Sequence, residues 1–137
     1  MVSSRRFFCL SVASATLVGG CFGRPERTRL DEIQFVNEGD AARTFEVTIE
    51  ADGEEVYAET RTVSPAEDEP IPVVTEGLPD ARGPLTVRTT VGDAAASHTY
   101  EAGRCFGLLV EYSPGTVVYF SNDRRCAGTP SRGRSGR

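Results

Sequence analysis

The 137-residue chain has no lysine, no tryptophan, a single histidine and a single methionine. Each absence removes a class of function. A blue-copper site takes two histidines and a cysteine, and His98 alone cannot supply them. The serines, Ser113 included, have no base and orienting partner at motif spacing. The chain contains no G-x-S-x-G turn, no phosphate-binding loop and no H-E-x-x-H helix. A pair of carboxylates working as in a glycosidase would need a substrate cleft, and a domain of this size has little room for one. No two cysteines stand at the close C-x-x-C spacing of a zinc site. Without tryptophan, the buried indole of antibody domains is missing. No basic stripe runs through the body of the chain, which argues against nucleic acid as a partner. These absences leave no catalytic constellation and imply no cofactor.

What the chain does contain begins at its N-terminus. Arg5-Arg6 precedes an apolar run from Phe7 to Val18, and Gly19-Gly20-Cys21 follows. The run is 12 residues long (7–18), against the roughly 20 that a membrane-spanning helix needs. A basic start, a short apolar segment and small residues before a cleavage point make a secretory signal, here residues 1–20. The paired arginines point to the export route marked by a twin-arginine signal. Val18-Gly19-Gly20-Cys21 resembles a lipobox, in which the cysteine thiol takes a lipid and becomes the new N-terminus. The expected location is therefore the extracytoplasmic face of the cell membrane, with Cys21 as the anchor. A signal that is cleaved without lipidation is the alternative. Residues 21–29, with Pro25 and three arginines, are expected to form an extended, solvated tether beside the head groups.

Charge is unevenly placed. From Leu30 to Cys126 there are 19 acidic residues against 7 arginines, a net of −12, while the whole chain carries only −5 because arginine clusters in the signal, the tether and the tail. A lysine-free acidic surface resembles that of proteins secreted by halophilic archaea. At about 1 M salt, screening over about 3 Å removes the mutual repulsion of dense carboxylates. With Arg5-Arg6 and Val18 to Cys21, this makes the chain similar to the small haloarchaeal lipoproteins exported by the twin-arginine path. That resemblance implies an envelope location and an immunoglobulin-like domain, and implies no activity.

Cys105 and Cys126 remain after the signal and the anchor take Cys9 and Cys21. In an oxidising compartment they are expected to bond. Closing a loop of about 20 residues stabilises by roughly 3 kcal/mol in the chain-entropy model.

The body of the chain reads as strands. Phe45, Val47, Ile49 and Ala51 alternate with polar neighbours over residues 44–51, the pattern of a half-buried strand. Asp52-Gly53 follows, a strong hairpin signal. The return strand, 55–63, is expected to turn Val56, Ala58, Thr60 and Thr62 inward. Further strands are expected at 32–36, 71–74, 84–91, 96–101, 105–112 and 117–121. Pro70 and Pro72 would confine the fourth to a sheet edge. If Ser113 faces Thr116 in the last hairpin, Cys105 and Cys126 fall only slightly out of register. No stretch shows a sustained helical period. About eight short strands with turn residues between them predict an all-β sandwich of immunoglobulin or fibronectin type, with antiparallel strands, over residues 30–126. Residues 127–137 lack apolar periodicity and read as a disordered tail.

One cluster stands out as a binding surface. Tyr112, Val118, Tyr119 and Phe120 lie on the last hairpin, where adjacent residues point to opposite faces. One face is thus more apolar than a single core requires. Either a loop covers a central strand on both sides, or the surplus is a partner-binding face. Glu54-Glu55 and Glu67-Asp68-Glu69 lack the D-x-D-x-D-G pattern of a calcium loop and read as solvated acidic surface. His98 shares a face with Ala96 and Tyr100 and reads as a structural residue. The function expected is a non-catalytic binding module at the membrane; the alternatives are a structural envelope protein without a discrete ligand and a small metal-binding or enzymatic domain.

Overall fold

The computed structural model describes residues 26–126. The signal with Arg5 and Arg6, the anchor Cys21 and the tail 127–137 lie outside the described residues. Nine strands follow one another: β1 Arg27–Asn37, β2 Arg43–Ala51, β3 Glu54–Val63, β4 Val73–Val74, β5 Asp80–Arg82, β6 Leu85–Val91, β7 Ala94–Tyr100, β8 Cys105–Ser113 and β9 Thr116–Asp123. One sheet runs β4-β1-β8-β9, with β5 also pairing β1, and the other runs β3-β2-β6-β7. The fold is an all-β sandwich of two sheets, as expected. Its core joins Leu30, Ile33 and Phe35 of β1 and Phe106, Leu108 and Val110 of β8 to Phe45, Val47 and Ile49 of β2 and Leu85, Val87 and Val91 of β6.

Hairpin turns set three of the seven strand pairings among the described residues, β2 with β3, β6 with β7 and β8 with β9. Asp52 and Gly53 both take positive φ, 55° and 80°, the type I′ turn whose twist matches the strands it joins. β2 then pairs β3 from Ala51 opposite Glu54, but the register shifts between Ile49 and Glu50, so Ile49 faces Tyr57. This bulge inserts one residue and reverses the faces of β3. Tyr57, Glu59, Arg61 and Val63 turn inward, while Val56 is 40% exposed. The expectation that Val56, Ala58, Thr60 and Thr62 face the core is corrected on that ground.

Two further corrections concern β1. It begins at Arg27, so residues 27–29 belong to the domain rather than to a solvated tether. There β1 pairs β5 on one side and β8 on the other. Thr28 is fully buried: its hydroxyl donates to the Gly83 carbonyl at 2.6 Å and accepts from the Gly103 N–H at 3.1 Å. The pairing of β1 with β8 is parallel, against the expected uniform antiparallel order. Strands so far apart in the chain meet by way of the whole intervening sandwich, and no turn dictates their direction. β4 does lie at a sheet edge beside Pro72, pairing Ile33 and Gln34 of β1.

The far end of β1 is fixed by Asn37, which is fully buried. Its amide donates to the carbonyls of Ala41 and Val63, both at 2.9 Å, and accepts from the Gly39 N–H at 2.8 Å. Its main-chain carbonyl accepts from the Ala66 N–H. One side chain thus joins the β1–β2 turn to the end of β3.

The last hairpin keeps the expected register, Ser113 opposite Thr116 through to Phe106 opposite Asp123. Cys105 and Cys126 are bonded across its open end, with Cα atoms 5.1 Å apart, within the usual span of a disulfide.

Candidate functional site

The candidate surface is the outer face of the sheet that contains β8. Along β8, Phe106, Leu108, Val110 and Tyr112 point into the core, so Gly107, Leu109 and Glu111 point out. Cross-strand pairing arranges the outer residues in rows. Val73 pairs Gln34, Gln34 pairs Leu109 and Leu109 pairs Phe120. One row over, Val36 pairs Glu111 and Glu111 pairs Val118. Phe120 is 56% exposed, Val73 51% and Val118 38%. Three of the most exposed large apolar side chains therefore share this face.

The four aromatic and aliphatic residues of the last hairpin divide between the two faces. Val118 and Phe120 are on the outside. Tyr112 is buried, with its ring 6.5 Å from Phe45 and with Arg43 over it. Tyr119 also turns inward; its hydroxyl lies 2.8 Å from Thr89 Oγ1 and 3.1 Å from the Ala96 carbonyl oxygen. Burial raises its ionisation above that of an ordinary tyrosine. Tyr112 and Tyr119 hold the sheets together and do not belong to the exposed face. β9 is an edge strand, which removes the picture of a central strand covered on both sides.

The other end of the face is polar. Arg124 reaches Glu32 at 3.3 Å, and Gln34 donates to the same carboxylate. Gly107 makes room for this arrangement. A Cβ there would stand 2.5 Å from Arg124 Nη2 and 3.0 Å from Asn122 Oδ1, so any other residue would displace the guanidinium. Glu32, Gln34, Gly107, Leu109, Phe120 and Arg124 line one shallow depression. Apolar side chains with a charged clamp at one end suit contact with another macromolecule, because they supply area and orientation.

Leu109 was within reach of the sequence, because the Ser113–Thr116 register sets it opposite Phe120. Glu32, Gln34 and Arg124 were not, since they arrive through the parallel β1–β8 pairing and the chain beyond the last strand.

The remaining candidates lie elsewhere. His98 is exposed at one flank, its ring 4.5 Å from Tyr100, which stacks on Phe106 beneath Arg104. Glu67 and Asp68 line an open depression with Glu38 and Asp40. Among the described residues no three of His, Cys, Asp and Glu converge as a metal site.

The sequence matches no protein-family model and no curated protein.

Proposed function

We propose that the chain is a membrane-anchored, extracytoplasmic binding module that docks a protein partner on the outer face of the β8 sheet. The observation that carries this reading is the exposed Val73, Phe120 and Val118 around the half-buried Leu109, bordered by the Glu32–Arg124 pair. Apolar residues scattered singly over a surface need no explanation, but here three of the five exposed large apolar side chains among the described residues share one face and Leu109 directly adjoins Phe120. Arg5-Arg6 and the lipobox-like Val18 to Cys21 support export and lipidation, and so a place in the envelope of a halophile.

The start of β1 sharpens the geometry of such an anchor. From Cys21 to Arg27 the chain spans six residues, at most about 20 Å when fully extended. A lipid on Cys21 would therefore hold the end containing β5 and the Cys105–Cys126 bond close to the bilayer. The strands would rise from that end, and the outer face would be open to partners from the side. Membrane affinity from acylation, about 0.8 kcal/mol per buried methylene, requires no spanning helix.

The test combines Leu109→Ser with Phe120→Ser. Both side chains lie outside the core, so melting should change little. Recovery of cross-linked envelope partners from intact cells should fall at least about ten-fold, as expected when a central apolar anchor is lost. Unchanged recovery would favour a structural envelope role without a discrete ligand.

A further inference from the structure

β9 bonds β8 along one side and leaves its other side open. The alternation of an antiparallel ladder fixes which groups are free. The Arg124 N–H donates to the Cys105 carbonyl at 2.6 Å, and the hairpin closes at Ser113–Thr116. Even-numbered residues of β9 thus bond β8. The N–H and C=O groups of Val117, Tyr119, Ser121 and Asp123 face outward, and among the described residues no other strand pairs with them.

The other edges carry the usual protections against such pairing. β3 presents Glu54, Glu55, Glu59 and Arg61, and β4 follows Pro70 and Pro72. Residues 116–122 of β9 have neither charge nor proline. The neighbouring edge, β7, carries no acidic residue and no arginine, and His98 is its one basic side chain. In a domain with a net of −12 over residues 30–126, residues 116–122 and β7 carry no carboxylate.

We propose that β9 pairs with β9 of a second copy, antiparallel about a two-fold axis at Tyr119, and continues the sheet across a dimer. Charge selects the occupant: elsewhere the acidic surface would set carboxylates against carboxylates, whereas this flank meets its own copy without like-charge contact. The register is self-complementary. With Tyr119 opposite its counterpart, Val117 and Ser121 exchange backbone hydrogen bonds across the axis. Val118 then opposes Phe120 of the other copy in a non-hydrogen-bonded pair, where side chains approach most closely. Thr116 opposes Asn122. The outward residues of β7 are Ala95, Ser97 and Thr99, which offer far less apolar area than Val118 and Phe120, so β9 and not β7 makes the contact. Such an isologous interface closes on itself.

The pairing uses the backbone edge and holds with or without a lipid anchor, although it shares Phe120 with the partner face. The test is light scattering on residues 22–137 in molar salt, at concentrations up to the order of 100 μM, since dimer formation follows mass action. That fragment contains the entire core and the Cys105–Cys126 bond. The wild type should have twice the monomer mass. Ser121→Pro should be monomeric and folded by circular dichroism, because the lost N–H faces the open edge and not β8. Phe120→Glu should also be monomeric. A monomeric wild type overturns the proposal, and so does a dimer that persists in both variants. Ser121→Pro leaves the outer-face side chains in place, so loss of pairing can be separated from loss of partner binding.

Discussion

Replacing Asn37 by alanine tests how the sandwich is closed at the end of β1. Three hydrogen bonds disappear, those to Ala41 O, Val63 O and Gly39 N, at 2.9, 2.9 and 2.8 Å. Each contributes about 1 kcal/mol net, and a buried acceptor left unpaired costs about 1–3 kcal/mol. Ala41 is exposed and Gly39 half-buried, so water can replace the amide there. Val63 is 2% exposed and its carbonyl would have no such substitute. The expected loss is about 3 kcal/mol, or roughly 10–20 °C in melting temperature for a domain of this size. Asn37→Asp is the sharper variant. It keeps the acceptor for Gly39 but turns a donor toward two carbonyls into a third acceptor. At neutral pH it should be at least as unstable as the alanine variant, and the gap should narrow on acidification, when a protonated carboxyl regains a donor. Chemical denaturation followed by circular dichroism measures both. An aspartate variant within about 0.5 kcal/mol of wild type, the scale of an ordinary surface substitution, would refute the reasoning.

Other outcomes follow from the same structure. Replacing Cys105 and Cys126 together by serine should cost roughly 3 kcal/mol, the loop-closure value for this size of loop, read from the denaturation midpoint. Tyr57 and Tyr100 ionise at about 12, raised chiefly by burial and, for Tyr57, also by the neighbouring Glu59 carboxylate. The unfolded chain gives up these protons near pH 10, so the domain should keep this stability below pH 10 and lose it between about pH 10 and 12. Melting curves across that window, with tyrosinate absorbance on the same samples, check the sign. The net of −12 over residues 30–126 predicts a falling melting temperature on dilution from about 1 M to 0.1 M salt, as screening weakens. A melt that does not move would remove the halophile reading.

Strands whose partners lie next to them in the chain were readable in advance. Phe45, Val47, Ile49 and Ala51 declare their buried face by period alone, and the Ser113–Thr116 register carried correctly to Phe106. The errors came where pairing is not local, and where a bulge broke the period of a local hairpin. Nothing in Arg27-Thr28-Arg29 is apolar, so its pairing between β5 and β8 and the burial of Thr28 were invisible. β5 itself, three residues of Asp-Ala-Arg, has no period to detect. The bulge after Ile49 is a single inserted residue, and one residue is enough to exchange the two faces of β3. The candidate surface suffered in the same way. The surplus of apolar residues on the last hairpin was evident, but which of them belong to the core depends on β9 being an edge strand, and that is a property of sheet order.

The most direct test of the account is the intact mass of the protein isolated from the membranes of the cells that make it, before and after reduction and alkylation. The account predicts a species beginning at Cys21 with added lipid mass, gaining two alkyl groups only after reduction. A full-length species with unmodified Cys21 and free thiols would contradict it and would place the protein inside the cell.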